Sequence, residues 1–163
     1  LKYSIDWWNG NRNNWIIMFK YEIINETSIK YDLNIIDNIF SIIDKNVDIC
    51  QKWILNIVFV DQNHIKELNG QYRQKDNVTD VLSFHYYDDF SLIWEEEIAW
   101  ELIFCEDKII SQAVEYGLWE EKEFYKLLIH SILHILWYDH ENDEDYQIMQ
   151  PLEDMIWKEV IIE

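Results

Sequence analysis

Between residues 120 and 136 the chain reads EEKEFYKLLIHSILHIL, and after an acidic start its apolar side chains recur at nearly every position. A helix with so little polar surface belongs in the interior, so this segment is expected to be the central buried helix of the fold. The other helical segments have narrower stripes. ETSIKYDLNIIDNIFSIID (26–44) places Ile and Leu at spacings of three and four, and DQNHIKELNGQYR (61–73) opens on Asp61, a capping residue, with Ile65 and Leu68 on one face. IISQAVEY (109–116) and DEDYQIMQPLEDMIWKEVII (143–162) also read as helices. WIIMFK (15–20), WILNIVFV (53–60), TDVLSFHY (79–86) and EIAWELIFCE (97–106) are short β-rich runs bounded by polar residues, and each is expected to be a strand. Strands followed mainly by helices predict an α+β architecture: a small mixed sheet of about four strands packed with about five helices, in a single domain over residues 1–163.

Composition narrows the class. A hydrophobic fraction of 49%, with nine Trp, ten Tyr and seven Phe, excludes a disordered chain. Cys50 and Cys105 have neither metal-site nor redox-motif spacing, which points to a reducing compartment and a cytoplasmic protein. The first residues lack a basic-then-apolar signal pattern, and no apolar run reaches the roughly 18 residues of a membrane span, so no membrane partner is expected. Thirteen basic against 32 acidic residues give a formal charge of −19, which opposes binding of a polyanion at long range. The basic residues Lys66, Arg73 and Lys75 nevertheless cluster in HIKELNGQYRQKD and leave room for a local cationic strip. Three Gly and one Pro are few for the turns such a fold needs.

The candidate chemistry lies in HSILHILWYDH, residues 130–140. His130 and His134 are four apart and project from one helix face one turn from each other, a chelating geometry. His140 follows where the helix should have ended, and a reversal around Trp137 and Tyr138 would return it to the same point. Three neutral imidazoles suit zinc, one ion per chain, and leave a fourth position open as in catalytic sites. Such a zinc site, at the end of the central helix, would serve hydrolysis. The alternative is a set of core histidines satisfied by hydrogen bonds, although two polar rings on so apolar a helix are costly without a shared partner. Asp139 would either hold a ligand histidine or cap the next helix. The spacing also matches zinc peptidases of the metzincin kind, but Ser131 stands where they carry the glutamate that serves as general base.

In LNGQYRQKDNVTDVLSF (68–84), Arg73 offers a planar, permanently charged fork suited to phosphate, and its alternative is an ion pair with neighbouring Asp76. This stretch resembles the L-N-x-x-Y-R-x-K-D-x-x-T-D-V-L-S-F signature of the YbeY-type ribosomal RNA maturation factors. HSILHILWYDH resembles the same family's H-G-x-L-H-L-x-G-Y-D-H. EIAWELIFCED, IISQAVEYG and DEDYQIMQPLEDMI follow in the family's order, so the resemblance runs from about Leu55 onward.

The resemblance implies a YbeY-like metallohydrolase domain: a zinc-dependent, single-strand-specific endoribonuclease acting in ribosomal RNA 3′-end maturation and ribosome quality control. The partners it implies are ribosomal RNA, the small ribosomal subunit and a possible ribosomal protein. His130, His134 and His140 match the zinc ligands; Arg73 and His134 would carry catalysis, and Arg73 with Lys75 would bind the substrate backbone. The other readings are a non-catalytic, zinc-containing ribosome-assembly factor and a metzincin-like peptidase. Trp94, Trp100 and Trp137 stand where the family pattern has glycine; the two readings are UGA codons that certain bacterial codes read as glycine, and a divergent family member whose turns tolerate tryptophan. UGG codons at those three positions would exclude the first.

Overall fold

A computed structural model describes residues 20–46, 54–87, 97–136 and 143–161, without the side chains of 143–147. The elements in chain order are β1 (Lys20–Ile24), α1 (Leu33–Asn46), β2 (Ile54–Val60), α2 (Gln62–Arg73), β3 (Val81–His85), β4 (Ile98–Cys105), α3 (Glu106–Tyr116), α4 (Glu120–Ile135) and α5 (Asp143–Val160). The sheet has the order β1-β2-β4-β3. β1 and β4 pair with β2 in parallel, and β3 closes the edge antiparallel to β4. The expected α+β architecture, with a small mixed sheet of four strands and five helices, is what forms.

β2 and β4 lie in the middle of the sheet and are covered on both faces, which is why their sequences run apolar without strict alternation. On one face Leu55, Ile57 and Phe59 join Trp100, Leu102 and Phe104 in a core completed by α1, α4 and α5. Phe124 of α4 is its keystone, with ring centroids 5.2 Å from Phe59 and 5.4 Å from Phe104. On the other face Val58, Leu82 and Ile103 pack with Ile65 of α2. Asp61 caps α2 as expected, its Oδ1 accepting from the backbone N–H of Asn63 and His64, each at 2.9 Å.

Two boundaries differ from expectation. Of the run 15–20 only Lys20 is in β1, whose sequence KYEII alternates at the sheet edge; residues 15–19 are outside the described residues. α1 begins at Leu33 rather than near Glu26, because polar side chains there hold a non-helical backbone. Thr27 Oγ1 accepts from the N–H of Ile29 at 3.2 Å, Ser28 donates to Glu106, and Asp32 Oδ1 accepts from the N–H of Asn34 at 2.8 Å.

The shortage of glycine is met in part by other residues. Asn25 and Gln74 adopt left-handed conformations with φ of 72° and 57°, beside Gly117 at 66°. Trp100 has a negative φ in β4 and is 2% exposed, so its backbone makes no demand for glycine. Trp94 and Trp137 lie outside the described residues, as does Cys50; Cys105 is free and buried. No helix among the described residues is long and apolar enough to cross a membrane.

Candidate metal centre

α4 starts at Glu120 and buries Phe124, Leu128, Ile132 and Ile135, with the hydroxyl of Tyr125 at the core's rim, where the Oη accepts from the N–H of Asp32 at 2.7 Å. Even so, one strip of the helix stays out of the core: Lys122, Lys126, His130 and His134, each four residues from the next, are half-buried or exposed. The sequence expectation of histidines buried inside an all-apolar helix is corrected on this point. The rings sit on the open strip of a buried helix, where they can meet a ligand.

Along that strip the two imidazoles face each other, with ring centroids 4.5 Å apart at 79°. His134 Nε2 stands 3.0 Å from His130 Nε2. A tetrahedral ion bound to two imidazole nitrogens at about 2.0–2.1 Å holds them about 3.3 Å apart, so the pair is already near chelating geometry. The other nitrogen of His130, Nδ1, lies 2.5 Å from Oε1 of Glu153 on α5. Glu153 was not among the sequence candidates. It lies 23 residues from His130 and only the packing of α5 on α4 brings the two together.

His140 and Asp139 lie outside the described residues. Among the described residues no third His, Cys, Asp or Glu joins the pair to form a metal-binding group. Ser131, at the position of the peptidase glutamate, is 2% exposed, and its Oγ has no hydrogen-bond partner among the described residues. It belongs to the core side of α4.

Arg73 and Lys75 are not in contact with the histidines. Arg73 ends α2, which packs on the opposite face of the sheet from α4, with the edge strand β3 touching both helices. Tyr72 beside it stacks edge-on against Phe84 near the end of β3, with centroids 5.0 Å apart. Asp76 does not hold Arg73: its Oδ1 pairs with Lys66 Nζ at 3.4 Å. The guanidinium is exposed and makes no ion pair among the described residues.

A second polar cluster lies near the first turn of α4. Gln112 Nε2 donates to Asp80 Oδ2 at 3.2 Å, and Asp80 Oδ1 accepts from the N–H of Val81 at 2.9 Å. Glu123 is 6% exposed, and burial, with nearby Asp80 adding to it against the opposing pull of Lys126, raises its carboxyl above the ordinary range. The sequence, which places Glu123 in an acidic first turn, gives no sign of this burial.

A mixed-sheet α+β domain with two histidines paired through their Nε2 atoms on its central helix defines a class of candidate metal-binding proteins. The comparisons place it more narrowly: residues 20–161 match the family model described as Endoribonuclease YbeY, and the chain belongs to that family. It is 35% identical over 145 residues to the Endoribonuclease YbeY of Finegoldia magna, covering 85% of this chain and 94% of that protein. To the protein of the same name from Syntrophomonas wolfei it is 36% identical over 135 residues, covering 79% and 86%. A Thermotoga maritima protein known from its solution structure superposes with a TM-score of 0.60 at 28% identity, covering 88% of this chain and 89% of that one.

Proposed function

We propose that this chain is a zinc-dependent, single-strand-specific endoribonuclease, one YbeY-like metallohydrolase domain acting in the cytoplasm on ribosomal RNA, in 3′-end maturation and ribosome quality control. The observation that carries the reading is the approach of His130 and His134 through their Nε2 atoms, 3.0 Å apart on the open strip of α4. His140, six residues beyond His134, is the proposed third ligand. A zinc ion held by these three supplies polarisation of a phosphoryl oxygen and activation of water.

The chain's own groups do the rest. Arg73, whose guanidinium is uncommitted among the described residues, binds the phosphate through its planar fork, and exposed Lys75 holds a neighbouring phosphate as a point charge. The small ribosomal subunit and a ribosomal protein are the proposed partners.

Elemental analysis of the purified chain tests the metal site. About one zinc per chain is expected in the native protein and in Arg73→Ala, and none in His134→Ala. Equal zinc in the native protein and His134→Ala would overturn the assignment. The formal charge of −19 favours a second reading, a non-catalytic zinc-containing assembly factor whose affinity comes from its protein partner. Under that reading the zinc-loaded chain binds ribosomal RNA and never cuts it.

A further inference from the structure

We infer that Glu153 is the positioning residue of the metal site: from α5 it fixes the tautomer and the orientation of His130 so that Nε2 is presented to the ion. The inference rests on the zinc-site reading above and adds a residue to it.

An imidazole binds a metal through an unprotonated nitrogen, and a neutral ring has its one hydrogen on either of two nitrogens. A carboxylate accepts only. With Glu153 Oε1 at 2.5 Å from His130 Nδ1, the hydrogen belongs on Nδ1 and donates to Glu153, which leaves the lone pair on Nε2. That is the nitrogen directed at His134 Nε2 at 3.0 Å. The bond is also sheltered: the side chains of His130 and Glu153 are only 35% and 28% exposed.

Glu153 is itself held. Met149, Ile156 and Val160 of α5 are buried in the core, and Leu152 packs against it, so one stripe seats the helix beside α4. Glu153 sits next to that stripe, four residues after Met149 and three before Ile156. A side chain so placed loses little further freedom when it orients the ring. Carboxylates that accept from a ligand histidine typically contribute 10–100-fold to metal affinity, by fixing the ring and raising its basicity.

The test is zinc affinity of the full chain, measured by competition with a chromophoric chelator, together with the nitrogen NMR shifts of the His130 ring in the zinc-free protein. In Glu153→Ala the affinity is expected to fall about 10–100-fold, and the ring to lose its single Nδ1–H tautomer. Glu153→Gln, which keeps an acceptor oxygen, is expected to retain the tautomer and recover part of the affinity. Native-like affinity in Glu153→Ala, with native affinity lost in His130→Ala, would overturn the role of Glu153 and leave the metal site standing. Native-like affinity in both His130→Ala and His134→Ala would overturn the site itself. If Glu153→Ala fails to fold, the comparison of Glu153→Gln with the native chain carries the test, and an unfixed tautomer in the native chain itself refutes the inference.

Discussion

At the scale of single residues, Arg73 and Glu123 make opposite demands on the solvent. Arg73 is exposed, with no ion pair among the described residues, so its removal should leave the fold unchanged. Arg73→Ala is expected to slow RNA cleavage about 100-fold or more, as loss of a charged group at a transferring phosphate does, with zinc content and melting temperature unaltered. A native cleavage rate in this variant would remove Arg73 from the site. Glu123 is buried and its carboxyl is raised by that burial first. A group whose pKa rises on folding contributes stability that is full below its unfolded value and is lost as pH climbs through the folded one. Glu123→Gln, neutral throughout, should therefore match the native chain at pH about 3, below the ordinary carboxylate range, and exceed it in stability at pH about 8. Denaturant midpoints at the two pH values decide it, and equal midpoints at pH about 8 would contradict it. The two charges also show what a sequence reveals of a residue. The exposure of Arg73 was legible because it follows from a polar run of sequence. The burial of Glu123 and the contact between Glu153 and His130 come from elements meeting in space, and no periodicity records that.

Elements were far more legible, because each carries its period in its own residues. Among the described residues all five helices and three of the four strands were readable, whereas the run 15–20 meets β1 only at Lys20, and the start of α1 was misplaced where side chains compete with the backbone. Ser28 and Thr27 hydrogen-bond around the segment that the Ile spacing alone would make helical. At this scale α4 is held by its aromatic contacts. Phe124 is 0% exposed between Phe59, Phe104 and Tyr31. Phe124→Ala is expected to cost about 3–5 kcal/mol in urea unfolding, and a loss below about 1 kcal/mol would show that α4 is seated otherwise. The end of α3 depends on Gly117 at φ 66°, where an added Cβ would meet nothing within 4 Å. Gly117→Ala should then cost only the backbone penalty, about 1–2 kcal/mol. Trp137 follows α4 in sequence and lies outside the described residues. Zinc bound equally by the native chain and Trp137→Gly would show that metal binding accepts tryptophan at this position, whereas zinc in the variant alone would favour glycine there.

For the whole molecule the governing fact is the formal charge of −19, against which any RNA contact must be made by few cations. Each phosphate neutralised on a single strand contributes about −0.7 to the slope of log affinity against log salt, so Arg73 and Lys75 alone predict about −1.4. A slope steeper than about −4 would reveal a basic surface much wider than this strip. Weak contact of this kind fits the proposal that the ribosomal subunit presents the substrate. The measurement that bears most directly on the central claim is the fate of an end-labelled RNA, part single-stranded and part duplex, incubated with the zinc-loaded chain and with His134→Ala. Internal cuts confined to the single-stranded part, and absent with His134→Ala, are the predicted result. RNA left whole by the zinc-loaded chain, or cut equally by His134→Ala, would contradict it.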